Sequence, residues 1–202
     1  MLEQVPAHLL TRPISVLQRH PGVCCRAAWA WLTTMDRSHL SLGNCVVAPS
    51  WLLTKYHWGP TIWPMWLCEA AQAKTLDCGA LAAISRDLLR ERGDSCFATQ
   101  LITLFPTRTG RMWNKMWRDA GSDPSWISGS FAYHEVCAIR HGNDLALWDP
   151  TENNLLRRTT RQNYGAILGI RVNADTGDSG DGVLQWESVE LPLNTWTELP
   201  AS

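Results

Sequence analysis

The 202 residues are long enough for one ample hydrophobic core and too short for two comfortable domains. Hydrophobic content of 45% and charged content of 18% describe an ordinary soluble globule. A formal net charge of −1 excludes any global attraction to nucleic acid or to an anionic membrane, and no stretch approaches the ~18 apolar residues of a membrane span.

In chain order, the first twenty residues read as irregular, because Pro6, Pro13 and Pro21 break any long element. Val23–Thr33 fits a strand or a short helix, and periodicity does not decide between them. Leu40–Trp51 reads as extended. The stretch WGPTIWPMW, residues 58–66, is a loop interrupted by Pro60 and Pro64, leading into a helix over Met65–Ala73. Cys78–Arg92 is the clearest helix. Leu81, Ile84, Leu88 and Leu89 recur at helical spacing, Asp77 or Thr75 can cap its start, and Gly93 can terminate it. Cys96–Phe105 is rich in β-formers and reads as a strand, and a short helix is expected around Met112–Asp119. Phe131–Arg140 and Leu145–Trp148 are two strands joined by a tight turn centred on Gly142-Asn143. A strand at Ala166–Val172, a flexible linker at Asn173–Gly182 and a last short strand within Val183–Leu191 complete the reading. Helices precede an antiparallel sheet, so the expected class is α+β. Residues 1–173 form one expected domain. Residues 174–202 hold Asp175, Asp178, Asp181, Glu187, Glu190 and Glu198 without a single Lys or Arg. This acidic extension is expected either to pack on the body or to sit at the interface of a homodimer.

Seven cysteines, an odd number, do not form a disulfide framework, and the N-terminus carries no apolar leader. A reducing cytoplasm with free thiols is the expectation. Without CxxC, HExxH or a paired His/Cys spacing, no metal is expected, and the adjacent Cys24 and Cys25 read as buried packing. No Gly-rich phosphate loop is present, so no nucleotide or other cofactor is expected. Twelve tryptophans against three Phe and three Tyr are the compositional outlier. They suit a core of large aromatics or, on a sharper reading, a site for a flat or aromatic ligand.

Chemistry concentrates in three places. Cys78 stands in the first turn of a helix, where the positive end of the macrodipole favours a thiolate, and Gly79 and Ala80 are small enough to admit a substrate. A turn centred on Gly142-Asn143 sets Val136 opposite Asp149. His134 is then a diagonal neighbour of Asp149 on the same face, about 7–8 Å away at the backbone. An imidazole and a carboxylate can hydrogen-bond over that span, with the second ring nitrogen left to face the thiol.

The segments LDCGALAAIS, YHEVCAIR and LALWDPTEN resemble the Cys, His and Asp boxes of papain-like and transglutaminase-like thiol enzymes, in particular the bacterial effector-type branch. The resemblance implies a papain-like fold with Cys78 as nucleophile, His134 as general base and acid, and Asp149 as the orienting residue. It further implies an oxyanion-stabilising role for Gln72, six residues before the thiol. Trp63, Trp66, Gly79, Tyr133, Glu135 and Trp148 are the candidate substrate-binding residues. The Cys-Gly-Ser-Cys-Trp box of papain itself is absent, so the similarity is one of plan.

The expected function is thiol-dependent acyl transfer on a small or peptidic substrate, completed by water as hydrolysis or by an amine as amide formation. Bacterial natural-product pathways recruit this fold, which implies a biosynthetic setting. Two other readings stay open: a Pictet–Spengler-type cyclase using the carboxylates Asp77, Glu135 and Asp149, and a non-catalytic binding module if Cys78 is buried.

Overall fold

The computed structural model describes residues 2–41, 48–141, 144–156, 166–173 and 186–188. After a single turn at Leu2–Gln4, the N-terminal half supplies α1 (Ala7–Leu10), α2 (Val23–Ser41), α3 (Leu52–Lys55), β1 (His57–Trp58), α4 (Leu67–Gln72), β2 (Thr75–Leu76) and α5 (Cys78–Glu91). The second half supplies β3 (Cys96–Leu104), α6 (Thr107–Asp119), β4 (Ile127–Ser128), β5 (Phe131–His141), β6 (Asp144–Asp149), β7 (Asn154–Leu155), β8 (Ala166–Val172) and β9 (Glu187–Ser188). Among the described residues, β3 to β9 form one antiparallel sheet in the order β7-β6-β5-β3-β8-β9, with β4 paired to β5. The two short strands β1 and β2 pair in parallel beside it. The α+β class expected from the sequence is the class observed.

Helix α5 runs between the helical half and the sheet. Asp77 caps it by accepting the Ala80 N–H at 2.8 Å, and Gly93 at φ 92° ends it, with the Asp94 N–H returning to the Leu89 carbonyl at 3.0 Å. Leu81, Ile84 and Leu88 pack into a cluster with α2 and α4, while Ala82 and Leu89 pack against Cys96, Cys137 and Trp148 of the sheet. A helix covered on both sides can sit only at the centre, so its first residue is held rigidly at the seam between the two halves. Strand β3 is likewise buried on both faces from Cys96 to Thr103, as expected of a central strand with no polar alternation.

The hairpin has the expected register. Cys137 pairs with Trp148 and His141 with Asp144 around the Gly142-Asn143 position, and the strands run one residue further than expected at their turn ends. Ala166–Val172 has its expected bounds.

Three expectations need correction. Val23–Thr33 belongs to a 19-residue helix that continues to Ser41, so the extended reading of Leu40–Trp51 fails at its start, and Trp51 at its end leads into α3. The cause is tertiary. Asp36 of α2 is buried, accepts Arg92 Nε at 2.6 Å and Trp51 Nε1 at 2.9 Å, and so ties the distal half of α2 to the end of α5 and the start of α3. Helix α6 begins at Thr107, five residues before Met112 and directly after Pro106, and the lack of a side chain at Gly110 lets the Gly129 carbonyl come within 2.8 Å of where a Cβ would stand. The linker at Asn173–Gly182 lies outside the described residues beyond Asn173. Of the acidic extension, Glu187 and Ser188 pair with β8 as its edge partner, and Trp186 donates to the Leu10 carbonyl at 2.9 Å.

Candidate active site

Cys78 owes its position to Asp77. The Asp77 backbone N–H donates to Thr61 Oγ1 at 2.7 Å, while its carboxylate takes the Ala80 N–H at 2.8 Å and the Trp63 indole N–H at 2.6 Å. The residue before the thiol is therefore pinned on three sides.

His134 projects from β5 and Asp149 from the end of β6. Their side chains meet with His134 Nε2 and Asp149 Oδ2 2.7 Å apart. The diagonal relation expected from the hairpin register is the one observed. Asp149 is completely buried, and its other oxygen accepts the Thr151 backbone N–H at 2.9 Å and the Thr151 hydroxyl at 2.7 Å. With Nε2 committed to Asp149, Nδ1 is the ring nitrogen left to face the thiol, and Cys78 and His134 line one cavity. Helix start, strand and neighbouring strand thus deliver a thiol, an imidazole and a buried carboxylate in series.

Burial alone would push His134 down, but the Asp149 charge and hydrogen bond, with a further contribution from Cys78, raise it well above its ordinary value of 6.5. Burial likewise raises Asp149, and the His134 charge with the His134 and Thr151 hydrogen bonds more than reverse this, leaving it below 3.8. The thiol departs from the sequence expectation. Burial pushes Cys78 above 9.0, and the carboxylates of Asp77 and Glu135 add to that, while His134 pulls the other way. Desolvation and the two nearby carboxylates thus oppose the thiolate that a helix start would favour.

Two cavities meet at Cys78. One, of about 140 Å³, reaches His134 between Phe105, Trp113 and Thr151. The other, of about 440 Å³, opens past Trp63, Asp77 and Glu135. Trp58, Trp126 and Tyr133 form the wall common to both. Trp58 packs against Trp113, Trp117 and Trp126 with ring centroids 5.2, 5.0 and 6.2 Å away, in tilted or edge-on contacts that keep the wall stiff. The Trp126 indole nitrogen is buried with no hydrogen-bond partner among the described residues. Sequence reasoning missed Trp113, Trp117 and Trp126. Trp113 and Trp117 stand four residues apart on one face of a helix, a signal that could have located the first two.

Glu135 lines the larger cavity and accepts on Oε1 the Ser15 N–H at 3.0 Å, the Ser15 hydroxyl at 2.8 Å and the Tyr133 hydroxyl at 2.7 Å, with the Ser15 N–H also 3.2 Å from Oε2. Tyr133 in turn accepts from Gln100 Nε2 at 2.7 Å, and Arg171 Nε donates to Gln100 Oε1 at 2.5 Å. This chain of hydrogen bonds holds the N-terminal segment around Ser15 against the sheet.

Three candidates stand apart from the site and one serves a different purpose. Gln72 is exposed at the end of α4 and lines neither cavity, because the chain turns extended at Ala73 and passes through β2 before reaching Cys78. A six-residue spacing without a continuous helix does not bring it to the thiol. Trp66 precedes α4 with its ring edge-on to His20 at 5.0 Å, and it too lines neither cavity. Trp148 is turned by the two-residue alternation of β6 away from Asp149's side and packs with Ala82 and Leu89 of α5. Gly79 lines the larger cavity, but its lack of a side chain serves Ser15: a Cβ there would overlap Ser15 Oγ and lie 2.7 Å from Ser15 Cβ. Trp63, Tyr133 and Glu135 are at the cavities as expected. Cys24, read as buried packing, is exposed.

No protein-family model, no curated protein and no solved structure matches the chain.

Proposed function

We propose that this protein is a thiol-dependent acyl-transfer enzyme built on a papain-like plan, acting on a small or peptidic substrate. The observation that carries the reading is the series Cys78–His134–Asp149, in which a buried carboxylate holds one ring nitrogen at 2.7 Å and the ring shares a cavity with the thiol. In the reactive state His134 is neutral and takes the Cys78 proton on Nδ1. The thiolate attacks a carbonyl carbon, and the oxyanion faces the Cys78 backbone N–H at the start of α5, the Ala80 and Leu81 N–H groups being taken by Asp77. His134 then delivers its proton to the leaving group as the thioester forms. Water or an amine, deprotonated by the same nitrogen, releases the acyl group and restores the thiol. The tryptophan wall favours an apolar or aromatic acyl group.

The cyclase reading needs a carboxylate free to exchange protons with a substrate. Asp77 is occupied by Ala80 and Trp63, Glu135 by Ser15 and Tyr133, and Asp149 lines neither cavity. These commitments favour the thiol over the carboxylates. Half-buried Cys78 opens onto two cavities, which favours a reactive site over a module that merely binds. The test is a panel of activated esters and thioesters of aromatic and aliphatic acids, assayed with the native chain and with Cys78→Ala. Turnover lost in the variant, with circular dichroism unchanged, supports the reading. Turnover retained in Cys78→Ala overturns it.

A further inference from the structure

A second cluster of reactive side chains lies away from the candidate active site. His20, Cys24, Cys25 and Cys68 each bring one ligand atom to within 4.8 Å of every other. Cys24 Sγ is 3.0 Å from His20 Nε2, and Cys68 Sγ is 3.8 Å from the same nitrogen. We propose that these four residues form a structural Zn²⁺ site of the Cys₃His type, which fastens the start of α2 to the start of α4.

Zn–S bonds of about 2.3 Å and a Zn–N bond of about 2.0 Å in a tetrahedron demand donor–donor edges of roughly 3.5–3.8 Å. All four donors lie within 4.8 Å of one another, and the two sulfur–Nε2 pairs stand at 3.0 and 3.8 Å, so closing on the ion takes shifts of up to about 1 Å. Three thiols and one imidazole are the soft, nitrogen-and-sulfur donor set that selects zinc over magnesium or calcium. Four protein donors fill the tetrahedron and leave no open position, which makes the site structural. Binding is a ligand exchange without redox: three thiols lose their protons, three Zn–S bonds and one Zn–N bond form, and the complex carries one net negative charge. That charge sits at the N-terminal end of the 19-residue α2, where the helix dipole favours it.

The surroundings are built to hold the donors together. Gln18 bridges to the strand-like segment beside it, donating to the Met65 carbonyl and accepting from the Leu67 N–H, each at 2.9 Å. His20 lies two residues past one side of that bridge and Cys68 one residue past the other. Trp66 covers the imidazole edge, which accounts for its place far from the two cavities. The Gly22 N–H approaches His20 Nδ1 at 3.0 Å, and a Cβ at Gly22 would lie only 2.5 Å from that atom. Zinc at Nε2 moves the ring proton to Nδ1, so the Gly22 contact is given up on loading, a change confined to the Pro21-Gly22 link.

The test uses the full chain purified in a non-thiol reductant without chelator. Elemental analysis should return about one Zn²⁺ per chain, retained in Cys78→Ala and reduced at least about tenfold in Cys24→Ser and Cys68→Ser. Cobalt(II) added to the stripped native chain should give the intense visible bands of a tetrahedral site with thiolate charge transfer, so the question is decided even if the serine variants misfold. Full metal content in both serine variants overturns the proposal. So do weak octahedral cobalt bands, absence of uptake at micromolar metal, or a native disulfide among Cys24, Cys25 and Cys68.

Discussion

The molecule places a thiol beside an imidazole in two regions, and their surroundings set the chemistry apart. At the helix–sheet seam one thiol meets a ring whose far nitrogen is clamped by a buried carboxylate. Between α2 and α4 three thiols crowd one ring, and a backbone N–H meets its Nδ1. A carboxylate behind the ring makes the imidazole a stronger base and fixes its direction, which suits proton transfer to and from a single sulfur. Several sulfurs around a ring without that support suit a cation that replaces their protons. Two cavities reach Cys78, where a substrate can meet the thiol, whereas the other cluster gathers four donors around one point.

The sharpest way to break this contrast is Asp149→Ala. It leaves His134 unoriented inside the protein, and acyl transfer should fall by about 10³–10⁴-fold, as expected when a ring loses its orienting acid. Stability should drop by about 3–5 kcal/mol in denaturant titration, because a buried charge loses its partner. Zinc content should be unchanged, and loss of both functions together would show that the two regions are one cooperative unit.

The same pair sets a pH window. The His134 pKa is raised, so its contribution is full below the ordinary value of 6.5 and is lost as pH rises through the folded value. Asp149 is depressed, so its contribution is present above 3.8 and is lost as pH falls through the folded value. The difference in melting temperature between the native chain and Asp149→Asn should therefore be widest in mild acid and narrow on the alkaline side. A difference independent of pH would contradict the ion pair.

Smaller effects sharpen the account of the thiol. Alkylation of Cys78 by iodoacetamide should climb with pH into the alkaline range. Glu135→Gln removes a charge that raises the thiol and should speed alkylation at neutral pH by roughly threefold, whereas His134→Gln should slow it. Equal rates in all three would mean that neither neighbour acts on the sulfur. Least of all, Gln72→Ala should alter stability by no more than about 0.5 kcal/mol and leave turnover within about twofold. A large loss there would restore it to the oxyanion.

The parts of this architecture legible in the sequence were those governed by local rules. Asp77, the apolar spacing of Leu81 to Leu89 and Gly93 bound α5 with little outside help. The Gly142-Asn143 turn and the two-residue alternation carried His134 to Asp149. What escaped was tertiary. The length of α2 depends on Asp36 finding Arg92 and Trp51, neither of which is its neighbour in sequence. The Cys78 thiol is pushed up first by burial, with Asp77 and, from a strand beyond the helix, Glu135 adding to it. The thiol cluster joins His20 to Cys68, 48 residues away, so no spacing motif could announce it. Gln72 stands exposed at the end of α4 and lines neither cavity, a placement that a count of residues along the chain does not reveal.

The central claim is that Cys78 is the nucleophile, and acyl trapping tests it most directly. The native chain treated with p-nitrophenyl acetate, quenched in acid and digested should carry an acetyl group on the peptide containing Cys78. That adduct should be absent from Cys78→Ala and strongly reduced in His134→Gln. Acetylation confined to other residues, or turnover of the ester by Cys78→Ala at the native rate, would contradict the account.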